Sequence, residues 1–402
     1  MKILWITPKW TFPINDGARI ATDRLLRAVA KAGAAIDVVA ICPSHEAVDV
    51  AQMRAHWPVS QVTVLRRKMP ENILGKVFFY AWKALTAPSL PLTFSSFADR
   101  ALTQELRQLL AKTPYDLVLF DGLHTAVPLL EVLETRVDKT KFVLRAHNVE
   151  TDLWVKASEQ ARLPWKKWLL KRQAQRVSNI EQQILRLVDG VAAIAKEDLA
   201  RFAPLTKRAC AYVPLGLSFA APLSHEGVDP DEFLFVGRLD WPPNRDGLEW
   251  LLANVWNEVR ARRPKARLTI AGVGDASWLD AYKKSPGINF LGRVDEIKEV
   301  YQRAAFSVAP LFYGSGTRIK IVEAFAMNRT LISTGMGVQG AEVEKDMYLN
   351  AENAQQWIKV MAEVKLDSAS LQNLASARDR MKAKFEEAQV GQAAYDWFKT
   401  LA

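Results

Sequence analysis

Two cysteines, Cys42 and Cys210, in 402 residues exclude a disulfide framework and a cysteine-ligated zinc cluster, and fit a reducing compartment. No apolar run reaches the roughly 18–20 residues that cross a bilayer. The opening MKILWITPKW lacks a small-residue cleavage site and reads as a first strand, not a signal peptide. The expectation is therefore a cytoplasmic protein. Low-complexity tracts and short repeats are absent. So is a G-x-G-x-x-G cradle after the first strand, which runs instead into PKWTFPINDG and argues against a nicotinamide-dependent dehydrogenase. Acidic residues are the minority, 44 against 54 Lys and Arg, for a net charge of +10. The excess lies wholly in residues 1–210, which hold 31 basic and 20 acidic residues, whereas residues 211–402 hold 23 and 24. Such a basic half is a solvated surface or a face that meets anionic lipid, nucleic acid or an anionic substrate. No nucleic-acid motif accompanies it, and no nucleic-acid partner is expected.

What is present is ordinary globular composition, 49% hydrophobic and 24% charged, at a length that implies two domains. Short apolar runs alternate with helical patterns. In the first half the strands read 2–7, 35–42, 116–120, 141–146 and 190–195, with a helix through Leu25, Leu26 and Val29 that ends at Gly33. The second half restarts with strands at 232–237, 266–274, 288–294, 305–310 and 330–335. Helices are expected from Gly247 to Arg260 and from Thr317 to Met327. The rhythm predicts an α/β protein of two Rossmann-like, doubly wound parallel domains facing across a cleft. The first spans 1–212 and the second 213–385, with a helix at about 386–402 packing back on the first. Ligands of such sheets bind beyond the carboxyl ends of the strands.

The densest chemical signal is PLFYGSGTRIKIVEAFAMNRTLIST, residues 310–334. Gly314 and Gly316 make a turn, Gly314–Thr317, just before a helix whose free N–H groups favour phosphate. Arg318 and Lys320 add positive charge there. Glu323 lies one to two turns further in, where a carboxylate accepts two hydrogen bonds from a ribose diol. Cations and N–H groups aimed at a departing diphosphate would stabilise the charge that builds on it. The one Asp-x-Asp triplet, Asp229-Pro230-Asp231, sits in the linker region, so no metal and no cofactor are expected.

This stretch resembles the retaining glycosyltransferases of the GT-B fold, family 4, also called glycosyl transferases group 1. Their motif runs E-x7-E and then A-M-A-x-G-x-P-V-V; Glu323 matches the second Glu, and Ala324 to Ile332 match the tail. FVGRLDWPPNRDGLEWL, LTIAGVGD, NFLGRVD and VPLGL match further landmarks, so the likeness spans nearly the whole chain. It implies transfer, with retention, from a UDP- or GDP-linked sugar to an acceptor hydroxyl. Two positions depart from the family. The first Glu falls on Ser315, in the segment expected to touch the donor sugar. Arg238 matches the family's diphosphate arginine, but the lysine five residues later falls on Pro243. Arg245 or Lys320 would supply the second cation, Lys320 being favoured because it sits at the phosphate-binding helix end.

In the first domain, the resemblance points to Gly17 as a donor contact and to Asp16 and Arg19 on the acceptor side of the same loop, and to His124 in D-x-x-H and His147 in an H-N segment as catalytic residues lining the sugar and acceptor side. His45, His56 and His225 read as surface residues without partners. No Asp or Glu stands out as a nucleophile. Residues 160–176 carry six Lys and Arg with no acidic residue, and Trp165, Trp168 and Leu169 share a helix face there. Residues 66–85 pair a basic cluster with Phe78 and Trp82. Both read as segments able to lie on an anionic membrane, which would suit a lipid-linked acceptor as well as a free saccharide. Two other readings stay open: a sugar-nucleotide epimerase or hydrolase, and a non-catalytic, membrane-docked scaffold.

Overall fold

The computed structural model describes residues 1–14, 16–135, 139–161, 163–314 and 318–402. The chain forms two units, Met1–Leu215 with Ala388–Ala402, and Gly216–Glu387. The expected pair of doubly wound parallel sheets is present.

The first unit holds seven strands: β1 (Lys2–Thr7), β2 (Ala35–Pro43), β3 (Gln61–Arg67), β4 (Leu117–Asp121), β5 (Lys141–Ala146), β6 (Gly190–Ala193) and β7 (Ala209–Tyr212). They lie in the order β3-β2-β1-β4-β5-β6-β7, all parallel. Side chains alternate across a strand, and β1 shows the consequence. Leu4 and Ile6 enter one apolar cluster, while Ile3 and Trp5 enter the cluster on the opposite face. Burial on both faces explains why the central strands read as continuous apolar runs. The helix Gly17–Lys31 covers one face, and the C-terminal helix Glu387–Leu401 joins it through Val390, Ala394 and Phe398. β3 and β7 lie at the edges, where half-exposed side chains interrupt the apolar run; neither strand is among those expected.

The second unit holds β8 (Asp229–Val236), β9 (Arg267–Ala271), β10 (Ile288–Gly292), β11 (Ala304–Ala309), β12 (Thr330–Ser333) and β13 (Leu349–Asn350). Their order is β10-β9-β8-β11-β12-β13, again parallel. The helix expected over 247–260 is in fact two. Pro242–Asn254 starts earlier, with prolines in its first turn where the missing N–H costs nothing. Trp256–Arg262 follows after a break at Val255. The break lets Trp256 bury its ring and donate to the Pro286 carbonyl at 3.0 Å. Among the described residues no helix is long and apolar enough to cross a membrane.

Candidate functional site

In each sheet the winding direction reverses once, and the loops beyond the strand ends at that point diverge to leave a crevice. In the second unit the reversal lies between β8 and β11. β8 runs out into Gly237 and Arg238, and β11 into Pro310–Gly314. Gly247, on the helix after β8, lies so close to Pro310 that a Cβ there would meet the Pro310 carbonyl oxygen at 1.7 Å. The two loops are thereby locked together.

Asn244 connects the cations of this crevice. It is buried, its Nδ2 donates to the Arg238 carbonyl at 2.8 Å, and its Oδ1 accepts from Lys320 Nζ at 2.7 Å. Lys320 Nζ also lies 4.0 Å from the centre of the Phe235 ring. A Cβ on Gly237 would lie 2.8 Å from both Asn244 Nδ2 and Lys320 Nζ, so only glycine lets the ammonium reach the strand end. Burial pushes the Lys320 pKa down to about 7; Glu323, one turn along the same helix, raises it and Arg318 lowers it further. Glu323 lies 3.5 Å from the hydroxyl of fully buried Tyr301. The Arg238 guanidinium donates to both Asp240 oxygens at 3.0 and 2.6 Å and is well exposed. That pairing holds the Asp240 carboxyl below its usual range.

Arg318 has a different partner from these two cations. It is buried and donates to the Gln339 carbonyl at 2.5 Å, tying the start of the helix Ile319–Ala326 to the end of the helix Gly335–Val338. Gly314 adopts φ +126°, beside Trp241 and Pro243. Ser315, Gly316 and Thr317 lie outside the described residues, and the described helix begins at Ile319. Arg245 is half exposed, 3.9 Å from Glu249. It borders a separate hollow of about 310 Å³ lined by Asp240, Asp275, Ser277 and Trp278.

In the first unit the reversal lies between β1 and β4. Asp121, the last residue of β4, is fully buried. It accepts from Arg145 Nη1 at 2.7 Å, His147 Nε2 at 2.6 Å, Thr22 Oγ1 at 2.6 Å and Trp5 Nε1 at 3.1 Å. Burial alone would raise its pKa, but Arg145 and His147 overcome that and hold the carboxyl far below its ordinary range. Arg145, also fully buried, donates to the Ala21 carbonyl at 3.0 Å. His147 thus stands at the strand end with one ring nitrogen fixed. His124 packs edge-on against Phe94 with ring centres 4.1 Å apart. Burial, with Arg67 and His147 nearby, lowers its pKa to about 4, so it is neutral at physiological pH.

Asp16 and Arg19 make a structural corner. Asp16 caps the helix Gly17–Lys31 by accepting from the Arg19 amide at 2.9 Å, and it pairs with Arg19 Nη1 at 2.7 Å and Lys9 at 2.9 Å. Arg19 Nε donates to the Trp10 carbonyl. Gly17 is exposed at the start of that helix. The three histidines read as partnerless are not. His56 bonds Asp23 at 2.7 Å, His225 lies 3.1 Å from Asn328 Nδ2, and His45 lies 3.2 Å from the Met69 carbonyl. Each partner is distant in sequence and invisible to local pattern.

Sequence reasoning missed Asp121, Arg145 and Asn244. The first two stood inside the segments LFDGLHTA and RAHNVE, and their signal was a charge at a strand end otherwise apolar. It also missed an acidic pair, Glu150 past the end of β5 and Glu181 on the helix that precedes β6. Glu181 accepts from the Glu150 and Thr151 amides at 2.9 and 3.4 Å. Burial and Glu181 raise the Glu150 pKa from 4.5 to about 7. The folded state therefore holds this proton more tightly than the unfolded chain, and the stability so gained is lost as pH rises from about 4.5 to 7. Glu150→Gln is expected to be about 2 kcal/mol more stable than the parent at pH 8 and equal to it at pH 4. Urea denaturation at both pH values checks this, and equal stability at pH 8 would refute it.

The Asp-x-Asp triplet opens β8, at the end of the sheet away from the crevice. Asp231 pairs with Arg263 at 2.5 Å and Asp229 with Arg267, beside an open hollow of about 640 Å³. Among the described residues no three His, Cys, Asp or Glu side chains converge as metal ligands.

Two parallel doubly wound units, the second with cations gathered at its switch point, form the GT-B architecture, and the chain is a glycosyltransferase. Residues 230–366 match the family model described as glycosyl transferases group 1. An uncharacterized 44.6 kDa protein in the cps region of Klebsiella pneumoniae is 22% identical over 357 residues, 84% of each chain. Among solved structures, HepE of Anabaena in complex with UDP superposes with a TM-score of 0.68 at 14% identity, over 100% of both chains. Sucrose-phosphate synthase of Thermosynechococcus elongatus does so with 0.67 at 17% identity, over 100% of this chain and 99% of the other.

Proposed function

We propose that this glycosyltransferase moves a sugar from a UDP- or GDP-linked donor to an acceptor hydroxyl, with retention and without a metal ion. The product is a cell-envelope polysaccharide or glycolipid, made on the cytoplasmic face of the membrane. The observation that carries the donor site is the cluster of Arg238, Asn244 and Lys320 at the β8/β11 reversal, with Glu323 one turn along. Arg238 and Lys320 hold the diphosphate. When the bond from the anomeric carbon to the diphosphate oxygen breaks, its electron pair settles on that oxygen, and the two cations stabilise the charge. The acceptor oxygen forms the new bond, and its proton passes to the departing phosphate. Glu323 holds the ribose hydroxyls. Gly314 and Arg318 contact the donor, the sequence assigns Ser315, Gly316 and Thr317 to the same role, and Arg245 is a peripheral donor contact.

In the first unit, His147, oriented by Asp121, and neutral His124 serve the sugar and acceptor. Asp16, Gly17 and Arg19 shape the loop beside them. The match to a protein of a cps region supports the envelope role, and complexes of HepE with UDP-glucose and of the pneumococcal O-GlcNAc transferase with UDP and GlcNAc support a nucleotide-sugar donor.

Calorimetry with UDP, GDP and ADP, with and without EDTA, tests the donor site. One nucleotide is expected to bind at submillimolar concentration, indifferent to EDTA. Glu323→Ala should weaken it at least about tenfold, the loss of a charged hydrogen-bond pair. No binding by the parent, or equal binding by the variant, would refute the assignment.

A further inference from the structure

The helix Ile73–Thr86 begins shortly after the carboxyl end of β3, and none of its residues is buried. Leu74, Val77, Phe78, Ala81, Trp82 and Leu85 recur at the helical period, so they share one face. A helix covering a core turns such a face inward. Here it faces out: Phe78 is 73% exposed and Leu85 82%. The opposite side holds the helix to the unit, where Lys83 donates to the Ala98 carbonyl at 3.4 Å.

A second segment repeats the pattern. The helix Pro164–Leu187 buries residues only from Gln173 onward. Along its first two turns Trp165, Trp168 and Leu169 are exposed, as is Leu163 just before them. This helix leads into β6 and so runs against the strands, which puts its free beginning at the carboxyl end of the sheet. The helix Ile73–Thr86 starts at that same end, and the Leu92 amide, six residues past it, donates to Gln173 Oε1 at 3.0 Å. Both apolar outcrops therefore belong to the end of the unit that carries Asp121 and His147.

Each outcrop has cations close by in the chain. Arg66, Arg67 and Lys68 precede the first in the chain, and Lys83 Nζ lies 5.3 Å from the centre of the Trp82 ring; exposed Lys166, Lys167, Lys171 and Arg172 accompany the second. Arg172 lies 4.9 Å from the centre of the Trp168 ring. Residues 66–85 contain one acidic residue and 160–176 none. Exposed aromatic and aliphatic faces accompanied by positive charge fit the boundary between lipid headgroups and acyl chains of an anionic bilayer.

We infer that these two segments together form a docking face for an anionic membrane surface. The rings and aliphatic chains enter the acyl boundary, and the lysines lie among the headgroups. Docking presents the carboxyl end of this unit's sheet to the bilayer, where a lipid-linked acceptor is anchored.

Co-sedimentation of the full chain with phosphatidylcholine vesicles, with and without phosphatidylglycerol, tests this with neither nucleotide nor acceptor, and so stands apart from the transferase reading. Pelleting is expected only with the anionic vesicles at low salt. Phe78→Ser/Trp82→Ser and Trp165→Ser/Trp168→Ser should each lower the partition coefficient at least about tenfold. Lys166→Glu/Lys171→Glu should weaken the salt-sensitive part. These side chains are exposed, and unchanged circular dichroism would confirm that the variants fold. Three results would overturn the inference: no pelleting with anionic vesicles at low salt, pelleting unchanged in all variants, or a wild-type dimer made monomeric by the aromatic substitutions. The last would make a second copy of the chain the occupant of this face.

Discussion

Lys320→Met is expected to lower the rate of sugar transfer about 10²–10³-fold, the usual effect of removing one fixed group that stabilises transition-state charge. Methionine keeps the apolar stem over Phe235 and removes only the charge. The parent should show a second signature. With a pKa of about 7, Lys320 is already protonated below pH 7 and mostly neutral above it. A bound diphosphate favours the charged form, so above pH 7 binding must draw a proton from solution. Nucleotide affinity should be flat below about pH 7 and then fall, approaching tenfold per pH unit. Calorimetry at pH 8 in buffers of different ionisation enthalpy should detect uptake of nearly one proton. The methionine variant should bind more weakly at pH 6 and show neither the slope nor the uptake. An unchanged slope in the variant would place the titrating group elsewhere.

Asp121→Asn is the substitution expected to cost most stability, about 3–5 kcal/mol. The side chain is fully buried and accepts four hydrogen bonds, from Arg145, His147, Thr22 and Trp5. The amide removes the charge that balances Arg145 and turns an NH2 donor toward other donors. Because breaking a buried pair leaves an uncompensated charge whereas removing both partners does not, Asp121→Asn/Arg145→Met should be more stable than the single variant. Urea denaturation of the three proteins measures this. A single variant within about 1 kcal/mol of the parent would mean that the network contributes little.

Much of the fold could be read from local pattern. β1, β2, β4 and β5 announce themselves as apolar runs because both faces of each are covered. The edge strands do not: β3 ends in Arg66 and Arg67, and β13 is two residues long. The helix break at Val255 was also hidden, since what draws Trp256 inward is the apolar cluster it enters and the Pro286 carbonyl, 30 residues away. At the site, the grouping of Arg318, Lys320 and Glu323 within six residues was visible. Their different fates were not, for Arg318 is tied to Gln339 while Lys320 reaches Asn244, 76 residues away.

The sequence by itself determined the class of architecture, because the period of apolar residues and the length of each run admit little besides parallel strands under helices. It also determined which charges lie near a helix start, since those are neighbours along the chain. Only the tertiary structure decided which cations meet at the β8/β11 reversal, that Asp121 joins Arg145 and His147, and that two amphipathic segments turn their apolar faces outward. Those outcomes depend on distances between residues far apart in sequence and on the burial that sets their charge, and neither quantity exists until the chain has folded.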